Sequence, residues 1–222
     1  SACAESQYLW SPCDLATLEL ESGVTDLFLA GRTMDPAFTL SSDRTFPGVT
    51  FYVFNGDNVF DFGNATEVTI PALVVMNSGT AAYLRGGTWN LPGGTVYHGN
   101  YNSPDSSAFS LDGVTLKGAD NAYLACGAGG LFCATNGAQV LDVNALYLAY
   151  GERNVADISG GSSSVPAAVL ISAFRRRLKN NPASIIPRYG ISIVPNGGCA
   201  SISMIRIRSL LKRLCPSPSG FV

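Results

Sequence analysis

The sequence has little charge and a single histidine. Asp, Glu, Lys and Arg make up 14% of the 222 residues, and His98 is the only imidazole. No cysteines show the Cys-x-x-Cys spacing of zinc sites, so we expect neither a metal site nor a cofactor. No apolar run reaches the roughly 18 residues that a membrane-spanning helix needs, so no such helix is predicted.

Acidic residues are missing after Asp157. Residues 1–157 contain 16 acidic and five basic residues, a net charge of −11. Residues 158–222 contain nine basic residues and no acidic ones, a net charge of +9. A charge asymmetry of this size indicates that the two parts of the chain bind oppositely charged partners. It favours contact between the basic and the acidic part, either within one molecule or between a molecule and its neighbour.

Cysteine usage indicates secretion. The six cysteines form three pairs that are close in sequence, and local closure predicts the disulfides Cys3–Cys13, Cys126–Cys133 and Cys199–Cys215. Disulfides form in oxidising compartments, and the chain begins at Ser1 without a methionine, as a processed extracellular protein does. Asn64 lies in the only N-glycosylation triplet, which agrees with a secreted glycoprotein.

Short β-prone segments separated by Gly, Asn or Asp dominate the chain as far as Gly161. The stretch 129–161 is bounded by Gly-Gly pairs. Its apolar residues lie in near-alternation with Asp142, Asn144 and small residues, which is a strand pattern; they are Val140, Leu141, Val143, Leu146, Tyr147 and Leu148. The segments recur too often and too regularly for an ordinary sandwich. They favour stacked coils, in which each coil buries the apolar side chains of the next.

The order of these elements resembles a known repeat. Residues 129–161 run from Gly-Gly through a strand, a Gly-Ala corner, a second strand and an Asn-bearing corner to the next Gly-Gly. This is similar to right-handed parallel β-helix proteins of the pectin-lyase-like and polymorphic-outer-membrane-protein type, and the similarity extends over roughly residues 45–161. The resemblance implies an all-β parallel solenoid but no activity. An antiparallel β-sandwich or jelly roll is the alternative fold.

Three regions are predicted. Residues 1–16 form a disulfide-pinned N-terminal cap, residues 17–161 the solenoid body, and residues 162–222 a basic appendage. Within the appendage, Ser164 as N-cap, Pro166 in the first turn and apolar residues at helical spacing predict a helix over about 165–179. The following residues predict either a hairpin over 191–207 or a short basic helix with the apolar stripe Met204, Ile207, Leu211 and Leu214.

No catalytic residues are predicted. Asp57 and Asp61 are the carboxylates best placed for a polysaccharide lyase or hydrolase, but no nucleophile motif accompanies them. Three aromatic residues are candidates for stacking against a glycan: Trp89, Tyr97 and Tyr101. Eight basic residues are candidates for contact with an assembly partner or a polyanion: Arg175, Arg176, Arg177, Lys179, Arg206, Arg208, Lys212 and Arg213.

We therefore expect an extracellular, disulfide-stabilised β-solenoid that serves as a subunit of a filament, matrix or surface assembly. It would act through self-association or a partner protein, with its acidic body against a basic tail. The alternative is polysaccharide binding or depolymerisation. A third possibility is polyanion or nucleic-acid binding by the basic tail, although nucleic acid and membrane are both disfavoured as partners.

Overall fold

The computed structural model describes residues 5–63, 65–76, 79–99, 107–126, 130–151, 155–157, 161–165, 168–173, 192–193, 200–203 and 206–207. These residues form 24 strands and one short 3-10 helix, η1 (Leu15–Thr17). The strands build three sheets that are parallel along the body of the molecule, so the chain is a β-solenoid. This confirms the predicted parallel β-helix over the alternative sandwich.

The solenoid is a succession of three-strand coils. It opens with β1 (Glu5–Leu9) and β2 (Cys13–Asp14). Six triplets follow: β3 (Val24–Leu29), β4 (Thr33–Leu40), β5 (Arg44–Thr45); β6 (Thr50–Val53), β7 (Gly56–Phe62), β8 (Glu67–Thr69); β9 (Ala72–Val75), β10 (Thr80–Arg85), β11 (Thr88–Asn90); β12 (Thr95–His98), β13 (Ala108–Asp112), β14 (Thr115–Lys117); β15 (Asn121–Leu124), β16 (Leu131–Thr135), β17 (Ala138–Leu141); β18 (Ala145–Gly151), β19 (Val155–Asp157), β20 (Gly161–Val165). The described chain ends with β21 (Ala168–Ala173), β22 (Ser192–Ile193), β23 (Ala200–Ser203) and β24 (Arg206–Ile207).

Each strand of a coil belongs to a different sheet. Sheet A consists of β1, β3, β6, β9, β12, β15, β18, β21 and β22. Sheet B consists of β2, β4, β7, β10, β13, β16, β19 and β24, and sheet C of β5, β8, β11, β14, β17, β20 and β23. Equivalent strands of successive coils are therefore neighbours, separated by the usual strand spacing of about 4.8 Å.

Alternate residues of each strand point inward and stack in columns. One column of sheet A is formed by Leu27, Phe51, Leu73, Val96, Ala122 and Leu146 on consecutive rungs. One column of sheet C is formed by Val68, Trp89, Leu116 and Val140. All of these side chains are buried, so stacking of coils provides the apolar core that a single coil lacks.

Polar side chains are buried at the corner between sheets A and B. Asn58 Oδ1 accepts a hydrogen bond from Gly31 N–H at 2.7 Å, and Thr80 Oγ1 accepts one from Asn55 N–H at 3.0 Å. Asn55 has a φ of 62°, outside the extended range in which a parallel ladder continues. In both cases a side chain of one coil binds an amide of the preceding corner.

The predicted helix over 165–179 is wrong for residues 168–173. Residues Ala168–Ala173 are strand β21, which pairs in parallel with β18, and the part after residue 173 lies outside the described residues. The physical reason is that β18 offers a ladder of backbone partners to a segment that contains the β-branched Val169 and Ile171. Coil stacking thus continues beyond Gly161, where the body was expected to end.

The C-terminal strands run back over the last coil. β22 pairs antiparallel with β21, β23 with β20, and β24 with β19. The hairpin predicted for residues 191–207 is therefore replaced by strands that pair with β21, β20 and β19 and not with each other. Most of the alternative short helix, over about residues 204–214, lies outside the described residues. The described part of the appendage covers the C-terminal end of its own solenoid, and Arg206 lies opposite Asp157 in the register.

Candidate functional site

An aromatic ladder runs along the outer face of sheet A. The register places aromatic residues side by side on successive rungs, with Val74 interrupting the row between β6 and β12. The members of the aromatic ladder are Tyr8, Phe28, Tyr52, Tyr97, Tyr123 and Tyr147. They lie outside because each follows an inward-pointing residue in a strand whose side chains alternate.

The rings of the ladder stack on each other. Ring centroids are 4.6 Å apart for Tyr8 and Phe28, 4.8 Å for Phe28 and Tyr52, and 4.5 Å for Tyr123 and Tyr147, with planes within 14° of parallel. Such contacts add about 0.5–1.5 kcal/mol per pair to the stability of a sheet. In these three pairs the neighbouring rings cover each other's faces, whereas the planes of Tyr97 and Tyr123 are tilted by 57°.

Three tyrosines of the ladder have a raised pKa. Partial burial raises the pKa of Tyr52, Tyr97 and Tyr123. The carboxylate of Asp26 raises the pKa of Tyr52 further, since it carries a negative charge and accepts the phenol's hydrogen bond. Tyr147 raises the pKa of Tyr123 further, because the two phenols lie close together and share a hydrogen bond. These three side chains therefore present hydroxyl groups, not phenolates, near neutral pH.

The exposed aromatic residues lie at the first rung. Tyr8 is 49% exposed and Trp10 is 50% exposed, and their ring planes are 8° from parallel. Phe54 packs its edge against Trp10 at 5.2 Å, and the guanidinium carbon of Arg32 lies 4.8 Å from the centre of the Trp10 ring. Trp10 thus already holds one guanidinium group by a cation–π contact.

We call this end of the molecule the N-terminal pole; it consists of β1 and residues 10–23. Leu15 of η1 is fully buried and covers the end of the core. Arg44 donates hydrogen bonds to the carbonyls of Ala16 and Leu18, the latter at 2.7 Å. The Gln7 side chain donates to Glu19 O and accepts from Glu21 N–H, each at 3.1 Å. These contacts fix the segment after η1 across the core.

The sequence-predicted aromatic site is only partly supported. Trp89 is fully buried against Phe60 and Phe62, so the prediction that it stacks on a glycan is wrong. The alternation of Thr88, Trp89 and Asn90 on a strand is the signal that places the indole inside. Tyr97 lies in the aromatic ladder, while Tyr101 is outside the described residues.

The predicted cysteine, glycosylation and basic sites are largely beyond the described residues. Asn64, Cys3, Cys199 and Cys215 lie outside them, as do all the candidate basic residues except Arg206. No disulfide links the described cysteines, so the predicted bond between Cys126 and Cys133 is not formed in this structure.

The candidate catalytic carboxylates do not converge. Asp57 and Asp61 both lie on β7, four residues apart, which separates them by about 13 Å along the strand. Asp61, Arg85 and Asp112 occupy consecutive rungs of one outer column of sheet B and form a row of alternating charge. Among the described residues, no group of three acids, histidines or cysteines is arranged to hold a metal ion.

His98 is buried in a structural role. Its Nδ1 accepts the N–H of Ala125 at 3.0 Å, which leaves the proton on Nε2 to be donated to Ser107 Oγ at 3.0 Å. Desolvation lowers the pKa of His98 to about 4, although the contact with Ser107 acts in the opposite direction. Gly99 lies so close to the Cys126 carbonyl that a β-carbon would overlap it.

Comparisons with protein-family models, curated proteins and solved structures found no match. The parallel β-helix implied by the resemblance is confirmed by the strand pairing, whereas no match supports the pectin-lyase-like or polymorphic-outer-membrane-protein assignment. Among the described residues, no helix is long and apolar enough to cross a membrane.

Proposed function

We propose that the protein is an extracellular structural or surface protein, a subunit of a filament, matrix or surface assembly that associates with itself or with a partner protein. The observation that carries this proposal is the N-terminal pole. Two half-exposed aromatic residues, Tyr8 and Trp10, lie there beside the terminal strand of a nine-stranded sheet. Exposed apolar groups beside a sheet edge favour association.

Charge distribution supports the same proposal. Residues 1–44 contain seven acidic and two basic residues, while every charged residue after Asp157 is basic. All nine basic residues of 158–222 follow β21 in the sequence, and β21 is the last parallel strand of sheet A. Opposite charge is therefore separated along the chain, between the first coils and the sequence after β21, which suits association between molecules more than contact within one.

The test is sedimentation velocity over a range of protein and salt concentrations. We expect larger species at low salt that dissociate as salt rises, since exposed charges are screened. Trp10→Ala should weaken association, while Leu131→Ala is the matched control because Leu131 is also exposed, at 42%, but lies on sheet B. A chain that sediments as a monomer under all conditions would contradict the proposal.

Carbohydrate binding is the second candidate, favoured by the nearly parallel, half-exposed rings of Tyr8 and Trp10. Flat aromatic surfaces of this kind bind sugar rings. Affinity electrophoresis in gels that contain soluble polysaccharides would test it. Retention that is lost in Trp10→Ala but kept in Leu131→Ala would support glycan binding, and unretarded migration in every polysaccharide would contradict it.

A further inference from the structure

We propose that the N-terminal pole of one molecule binds the basic segment 175–179 of a second copy, so that molecules join head to tail. This inference rests on the proposed function and specifies its partner and both surfaces. The acceptor is described by the structure, and the segment that occupies it carries four basic residues in five: Arg175, Arg176, Arg177 and Lys179.

Three carboxylates of the acceptor have no cationic partner among the described residues. Glu5, Glu19 and Glu21 are exposed at the N-terminal pole. In the described part of the chain the one ion pair is between Lys117 and Glu67, at 2.8 Å, so none of these three carboxylates has a salt-bridge partner there. The two nearby arginines are engaged elsewhere, Arg32 on the Trp10 ring and Arg44 on backbone carbonyls.

In the described part of the chain, the acceptor also has a backbone edge with no strand paired to it. β1 is the terminal strand of sheet A, and the Leu9 carbonyl accepts the N–H of Ala30 at 2.9 Å, so the backbone groups of Leu9 face the body. In a parallel strand the groups of alternate residues face opposite sides. Those of Ser6 and Tyr8 therefore face away from β3, where an extended segment of another chain can pair with them.

The side chains at the pole suit arginine in particular. Trp10 already carries the guanidinium of Arg32 at 4.8 Å and remains 50% exposed, so part of its ring is open to another cation. Arginine binds carboxylates through two parallel hydrogen bonds and stacks on aromatic rings. A pole that combines carboxylates, an indole and a strand edge thus matches an arginine-rich strand-like segment.

Chain length excludes the same contact within one molecule. Seven rung spacings separate β1 from β21 in sheet A, a distance of about 34 Å. Arg177 is four residues beyond Ala173, the last residue of β21, and four extended residues span at most about 14 Å. Arg175–Arg177 therefore cannot reach their own N-terminal pole, and the contact must form between molecules. Because the two surfaces differ, it is heterologous and can propagate into an open chain.

The experiment compares charge variants of the full chain by sedimentation velocity at low salt. Glu5→Gln, Glu19→Gln and Glu21→Gln together should weaken association by about tenfold or more, which corresponds to three ion pairs of modest strength. The control removes three exposed acidic groups elsewhere, Asp57→Asn, Asp61→Asn and Asp142→Asn, and should leave association nearly unchanged. Circular dichroism checks that every variant is folded.

Charge reversal provides the decisive arm. Arg175→Glu, Arg176→Glu and Arg177→Glu together should abolish association, and mixing that variant with one carrying Glu5→Arg, Glu19→Arg and Glu21→Arg should restore it. If the wild-type chain associates but the pole variants behave like the control, or the mixture stays monomeric, the head-to-tail inference is overturned while the proposed function stands. If the wild-type chain never associates, both fail.

Zero-length cross-linking gives an independent check. Isotopically heavy and light copies are mixed, coupled with a carbodiimide and digested. We expect Lys179 to be joined to Glu19 or Glu21 in pairs that contain one heavy and one light peptide. Links between these residues only within one copy would contradict the distance argument.

Discussion

The buried polar residues bind backbone groups at the corners of the coils. Asn58, Thr80, His98 and Ser107 are the buried polar residues of the described chain, and all lie where sheet A passes into sheet B. Three of them accept a backbone N–H from the corner of an adjacent coil. Each replaces a ladder hydrogen bond that the turning backbone cannot make, so these residues hold the coils in register.

His98 should make the protein less stable in acid. Its folded pKa, about 4, lies below the unfolded value of about 6.5, so the unfolded chain binds the proton more readily. The contribution of neutral His98 is complete above about pH 6.5 and is lost as the pH falls to about 4, a change of roughly 3 kcal/mol. Urea unfolding across this pH range measures it.

The matched variant is His98→Leu, which suits an inner column that also contains Val75 and Leu124. It should be less stable at pH 7, since Ala125 N–H and Ser107 Oγ lose their partner, at a cost of about 1–3 kcal/mol for each buried group. It should also lose the histidine part of the acid dependence. If the free energy of unfolding changed with pH by the same amount in both proteins, His98 would not titrate as proposed.

Asn58→Asp should be strongly destabilising near neutral pH. Asn58 Nδ2 donates to the carbonyls of Phe54 and Gly56, at 3.2 and 2.9 Å, in a fully buried corner. One carboxylate oxygen would keep the N–H of Gly31, but the other would face carbonyl oxygens without a donor. We therefore expect a loss of at least about 3 kcal/mol that becomes smaller in acid. Asn121→Asp, on the outer face of sheet A, is the control. Equal urea midpoints for the two variants would contradict this account.

At the scale of the strand, the gap in the aromatic ladder gives a stabilising mutation. Val74 lies between Tyr52 and Tyr97 on the outer face of sheet A. Val74→Tyr should join the two parts of the ladder and raise the stability by about 0.5–1.5 kcal/mol. Ala72→Tyr, on the same strand and face but between Thr50 and Thr95, is the control. An equal gain in both variants would mean that ring stacking is not the cause.

Sequence reasoning predicted the coil architecture because Gly, Asn and Asp punctuate the strands at regular intervals. It missed β21 because Leu170, Ile171 and Phe174 also match a helical stripe, and only the open edge of β18 decides between the two. It missed the aromatic ladder for a related reason. Coils differ in length by a few residues, so Tyr97, Tyr123 and Tyr147 align only after the strand register is known.

At the scale of the molecule, the two ends of the solenoid are unequal. The last coil is covered by antiparallel strands of its own chain. In the described structure, no strand pairs with the outer edge of β1 at the other end. Stacked coils contact only their neighbours, so the central coils are supported on both sides and the terminal ones on one. The N-terminal pole is therefore the place where a partner adds most to the stability of the solenoid.

Hydrogen exchange should show this difference directly. In the dissociated protein we expect slow exchange in β9, β12 and β15, which have a rung on each side, and faster exchange in β1. Raising the protein concentration at low salt should slow exchange in β1, because Ser6 and Tyr8 amides gain partners from a second copy, while the central strands change little. High salt should reverse the effect by screening the charges that join the molecules. Exchange in β1 that is independent of protein concentration, in a sample that sediments as an oligomer, would place the contact elsewhere on the solenoid.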